Sequence, residues 1–83
     1  MTEFYVKLHS VTDVKQFVTS ASMAPVDIDV ISGRYTVDAK SILGLCSLDL
    51  DHPVLVRVYG SDSDGQAFHA SVEKMVVEPP EEA

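Results

Sequence analysis

Apolar and polar positions alternate over Thr2–Leu8, with Phe4, Val6 and Leu8 on one side and Glu3, Tyr5 and Lys7 on the other. A period of two predicts a strand with one buried face. The period then changes: Val11, Val14, Phe17, Val18 and Ala21 recur at helical spacing, which predicts a helix over residues 11–22 with one apolar stripe. Ser10 with Asp13 three residues later is a start signal of the capping-box type, with Asp in place of Glu or Gln. Ala24-Pro25 ends that helix, because the residue before a proline is pushed out of helical angles. Val26, Ile28 and Val30 alternate with Asp27, Asp29 and Ile31 in a second strand. Ser32-Gly33 marks a tight turn, and residues 34–38 return as a third strand with Tyr35 and Val37 facing inward.

Ser41 is placed to cap a short helix, with Ile42, Leu45 and Cys46 toward the core and Leu43 toward solvent or a partner. Pro53 follows at the start of a fourth strand, in which Val54, Val56 and Val58 alternate with Leu55, Arg57 and Tyr59. A polar turn over residues 60–65, with an Asp or Ser as cap, leads to a third helix. On it Phe68, Val72, Met75 and Val76 stand at i, i+4, i+7 and i+8. Residues 79–83 are acidic, contain Pro79-Pro80 and are predicted to be a flexible tail beyond a domain of residues 1–78. The order is β-α-β-β-α-β-α. Strands with one polar face imply a four-stranded antiparallel sheet with three helices on its other face, an α+β architecture.

Composition narrows the function. A chain of 83 residues makes one domain. Thirteen acidic against six basic residues, a net charge of −7, exclude nucleic acid and anionic membrane as main partners, since both need clustered Lys and Arg. Cys46 is the single cysteine, so there is no intramolecular disulfide and no Cys-rich metal site; it is expected to be a small buried hydrophobe. With no basic segment and apolar run at the start, and no apolar stretch of membrane length, the expected location is the cytoplasm.

No histidine pair has metal-ligand spacing with a third ligand nearby, so neither metal nor cofactor is expected. His52 is expected to face solvent, and His69 to pair with Glu73 four residues on. Strand alternation sends Asp27 and Asp29 to the solvated face rather than to acid–base work. Ser10, Ser41 and Ser47 lack a His–Asp pair in support of a nucleophile. The four glycines are scattered and form no phosphate loop. An enzyme is therefore not expected.

Three stretches carry a resemblance: Gln16-Phe17-Val18, Val26-Asp27-Ile28-Asp29-Val30, and Ala39-Lys40-Ser41, the last within a Lys-Ser-Ile-x-Gly-x-x-Ser-Leu pattern over residues 40–48. In one ungapped register they resemble the HPr family, the small phosphocarriers of the bacterial sugar phosphotransferase system. The resemblance implies an open-faced β-sandwich. It also makes Ser41 a regulatory phosphorylation site, with Ile42, Leu43 and Cys46 as a hydrophobic docking patch.

The chain departs from the family at the catalytic loop, where phosphate-carrying members have Gly-Leu-His-Thr-Arg-Pro-Ala. The histidine position is Ser10, the arginine position Thr12 and the proline position Asp13. A carboxylate at 13 repels the phosphate that the family's arginine attracts. Only Leu8-His9, with one residue inserted after it, could restore a phosphoacceptor, which would be His9.

The function read from the sequence is thus a non-catalytic, regulatory or partner-binding protein, a monomer or weak dimer, acting through Lys40, Ser41, Ile42, Leu43 and Cys46 with Ser10 and Thr12. The partners implied are phosphotransferase-system enzymes, a serine kinase or a transcription regulator. The alternatives are a divergent carrier using His9 and an interaction module unrelated to sugar transport.

Overall fold

In the computed structural model, which describes residues 1–80, the alternating segments pair into one antiparallel sheet. The elements are β1 (Thr2–Val6), α1 (Val11–Met23), β2 (Asp27–Ser32), β3 (Tyr35–Asp38), α2 (Ile42–Cys46), β4 (Val54–Tyr59) and α3 (Asp62–Ser71), then a 3₁₀ turn (Glu73–Met75) and β5 (Val76–Val77). The sheet runs β3-β2-β4-β1-β5. Its register sets Phe4 and Val30 on either side of Val56, Val6 against Val54, and Ile28 against Val58. These positions form the inner face. Val14, Phe17 and Ala21 of α1, Leu45 of α2, and Phe68 of α3 close over it. Phe17 stands edge-on to Phe68, with ring centroids 5.5 Å apart. Among the described residues no polar or charged residue is buried.

The sheet has five strands, not the four that alternation predicts. The third helix stops at Ser71, and Val72, at φ −120°, breaks its path. The chain then wraps through the 3₁₀ turn, so that Val76 and Val77 pair with Val6 and Tyr5. Lys7 N donates to Met75 O at 2.9 Å and joins the two ends of the chain. Spacings of i+4 and i+7 put Phe68, Val72 and Met75 on one side whether or not the helix continues, so periodicity alone could not see the break. Of the predicted tail 79–83, Glu81, Glu82 and Ala83 lie outside the described residues.

The remaining differences have local causes. Tyr35 is 65% exposed rather than inward. It sits on the helix side of the sheet, opposite Ser32, but at the tip of an edge hairpin that no helix covers. Val11 is 70% exposed, because it occupies the first turn of α1. Ile42 and Cys46 are also exposed rather than core-facing, since a five-residue helix buries only Leu45. His69 stacks edge-on against Phe4 at 4.7 Å instead of pairing with Glu73, which lies past the helix end in the 3₁₀ turn.

Gly65 belongs to α3 rather than to the turn before it. Ser61 is the cap, with its hydroxyl accepting from Asp64 N at 3.1 Å and Asp64 Oδ2 accepting from Ser61 N at 3.2 Å. At the β2–β3 turn, Gly33 has φ +59° and Arg34 a negative φ. That is the pattern of a type II′ connection, which matches the twist of the strands.

The outer face of the sheet is free of helices. There Arg57 Nε donates to Glu3 Oε2 at 2.6 Å, and the Tyr59 hydroxyl donates to Asp29 Oδ2 at 3.0 Å. Side-chain hydrogen bonding to Tyr59 and Glu3 raises the Arg57 pKa above its ordinary value. The guanidinium therefore remains charged at any working pH.

Candidate functional site

Two helix starts carry the residues singled out in the sequence. At α1, Ser10 is extended (φ −151°, ψ 168°), and its hydroxyl accepts from Asp13 N at 3.1 Å. Asp13 Oδ2 accepts from His9 N at 2.9 Å, one residue earlier than in a capping box. Ser10 and Asp13 between them thus take up the N–H groups of Asp13 and His9, and the Asp13 carboxylate lies against the backbone of His9. Both His9 and Thr12 are exposed.

At α2 the sequence builds a tight entry. Asp38 Oδ1 accepts from Lys40 N at 2.9 Å, and Asp38 O accepts from Ser41 N at 3.0 Å. Ser41 is then extended, and its hydroxyl accepts from Gly44 N at 3.0 Å. Ser47 closes the other end, its hydroxyl donating to Gly44 O at 2.6 Å. With Leu45 turned into the core, the opposite side of the helix is Ile42, Leu43 and Cys46. Positions three and four apart are neighbours on a helix, so these three side chains form one patch. Leu43 is 81% exposed and Ile42 40%.

The structure divides the remaining residues between the two ends of α1. Lys40 Nζ donates to Ala24 O at 3.3 Å, at the C-cap of α1, where a cation complements the helix dipole. Ser10 and Thr12 stand at the other end, roughly 20 Å away for thirteen residues at 1.5 Å each. Helices α1 and α2 pack on each other.

A groove between α1 and the end of α3, lined by Lys15, Thr19, Ser71 and Met75 among others, has no counterpart in the sequence reading. It exists because α3 ends early, and no periodic signal marks that. His52 is exposed, its Nε2 3.7 Å from Asp49 Oδ2. Among the described residues no three His, Cys, Asp or Glu side chains are grouped to hold a metal ion, and no helix is long and apolar enough to cross a membrane.

No family model and no curated protein matches the chain. Solved structures do. The chain is similar to HPr-C-His from Thermoanaerobacter tengcongensis, with a TM-score of 0.73 and 25% identity over 89% of this chain and 93% of that one. It is also similar to the phosphocarrier protein HPr from Bacillus anthracis str. Ames, with a TM-score of 0.69 and 24% identity over 89% of this chain and 95% of that one. The likeness covers sheet and helices together, as the resemblance of the short stretches implies. The chain is an HPr-like domain, built on the fold of the HPr phosphocarrier proteins.

Proposed function

We propose that this HPr-like chain acts in or beside the sugar phosphotransferase system as a partner-binding or regulatory protein rather than as a phosphocarrier. The observation that carries the reading is the patch on α2: three apolar side chains, Ile42, Leu43 and Cys46, are exposed together directly after Ser41. Exposed large apolar side chains grouped on one helix face suit docking of another protein. The start of α1 supports the same reading. In the register of the family, Ser10 stands where the carrier histidine would be, and the Asp13 carboxylate sits where a phosphate would need positive charge. Ser41 is the regulatory position. A phosphate there would add charge beside the patch and change which partner docks.

The test takes this chain and an authentic HPr together with phosphoenolpyruvate and enzyme I, and reads intact mass. The authentic HPr gains a phosphoryl group and this chain does not. Enzyme I is then titrated into the isotope-labelled chain. The amide signals of residues 42–46 shift, and Leu43→Glu weakens binding about tenfold or more, the loss of a central interface anchor. An acid-labile adduct that disappears in His9→Ala would overturn the reading and make the chain a carrier. Binding that ignores Leu43→Glu would move the docking surface elsewhere.

A further inference from the structure

The two edges of the sheet are finished differently. β5 is two residues long and runs into Glu78-Pro79-Pro80; proline has no N–H to donate, which blocks the addition of a strand. β3 is four residues long, and Tyr35, Thr36 and Asp38 are exposed. The turn decides which backbone groups this edge offers. Ser32 and Tyr35 flank a two-residue turn and so exchange hydrogen bonds, as Val30 and Val37 do next. Ala39 N donates to Ile28 O at 2.9 Å and continues the same parity. Thr36, opposite Ile31, therefore points both its N–H and its C=O away from β2, and Asp38 N–H points the same way.

We propose that this edge pairs with a second copy of the chain, antiparallel, on a two-fold axis through Thr36. In that register each Thr36 N–H donates to the Thr36 carbonyl of the other copy. Arg34 stands opposite Asp38 on the outer face, twice, and Tyr35 stands opposite Val37 on the helix side, twice. Opposite charges and aromatic with β-branched side chains are the favourable cross-strand pairs. A slip of two residues sets Arg34 opposite Thr36 in one direction or Lys40 in the other and leaves Asp38 without a cation in both, and parallel pairing sets like charges side by side. The segment Arg34-Tyr35-Thr36-Val37-Asp38 is thus self-complementary in one register.

The Asp38 carboxylate is already oriented, since Oδ1 accepts from Lys40 N and Oδ2 is left for the second copy's arginine. The axis is perpendicular to the sheet, so both α2 helices stand on the same side of a ten-stranded sheet, flanking the seam. Such a pair offers two equivalent helix faces to one partner.

A short edge makes a small interface, so the association is weak and is read by sedimentation equilibrium from about 10 μM to about 1 mM. The native chain rises from the mass of one chain toward that of two. Thr36→Pro removes an outward N–H but no bond to β2, and raises the dissociation constant at least tenfold. Arg34→Asp and Asp38→Arg each set like charges opposite one another and associate at least tenfold more weakly. Their equimolar mixture restores both pairs and recovers the native mass curve as a heterodimer, which also shows that both variants are folded. A native chain that stays at single mass throughout, a Thr36→Pro variant that dimerises like the native chain, or a mixture that recovers nothing would each overturn the proposal.

Discussion

Phe17→Ala lowers the stability of the chain by about 3–5 kcal/mol, and urea denaturation followed by circular dichroism measures it. Phe17 is fully buried in the middle of α1, between Val14 and Ala21. Its ring stands edge-on to Phe68, which in turn lies 6.2 Å from Phe4, so one side chain joins α1, α3 and β1. Truncating a buried phenylalanine to alanine costs about 3–5 kcal/mol, the transfer term plus the cavity. At 0.05–0.15 kcal/mol per residue, a chain of this length has a total stability of roughly 4–12 kcal/mol. The loss is therefore a large fraction of the whole, and equals it only at the low end of that range. Phe17→Leu keeps most of the volume and is expected to cost about 1.5 kcal/mol or less. Val11→Ala, on the same helix but exposed, should fall within about 0.5 kcal/mol of the native chain. If Phe17→Ala unfolds at the native urea midpoint, the aromatic cluster is not the centre of the core.

Gly65→Ala is the second large effect, and its sign is the informative part. In an ordinary helix interior, replacing glycine by alanine gains about 1 kcal/mol. Here a Cβ at Gly65 would overlap both Oγ1 and Cβ of Thr2 in β1. The overlap includes the Cβ of Thr2, so turning that side chain to another rotamer does not relieve it. Overpacking of this kind typically costs 1–3 kcal/mol. The denaturation midpoint should fall accordingly, and Thr2→Gly in the Gly65→Ala background should restore part of the loss. In a double-mutant cycle the two substitutions couple favourably. Additive costs would mean that α3 and β1 do not approach as closely as the structure has them.

The same contact shows why part of this fold could be read from the sequence and part could not. β1, β2 and β4 follow from alternation, because a strand's period of two is written in the chain wherever one face is buried. α1 and α3 start where Ser10 and Ser61 stand, because a cap binds an N–H only three residues away. The resemblance of residues 40–48 to the HPr family pointed to the exposed side of α2, although periodicity assigned Ile42 and Cys46 to the core. A helix of five residues is too short for its period to tell one side from the other.

The sequence by itself determined the order of the first seven elements, β1 to α3, with their apolar faces and caps. All of these depend on interactions within about four residues along the chain. The tertiary structure decided the fifth strand, the early end of α3, the exposure of Tyr35 and Cys46, and the placing of Lys40 on α1. Each of these depends on what lies opposite: Val6 against Val76, Met75 O under Lys7 N, the absence of a helix over the β2–β3 tip, and the free carbonyl of Ala24. Such partners are set by packing across the sheet, and no local period encodes them.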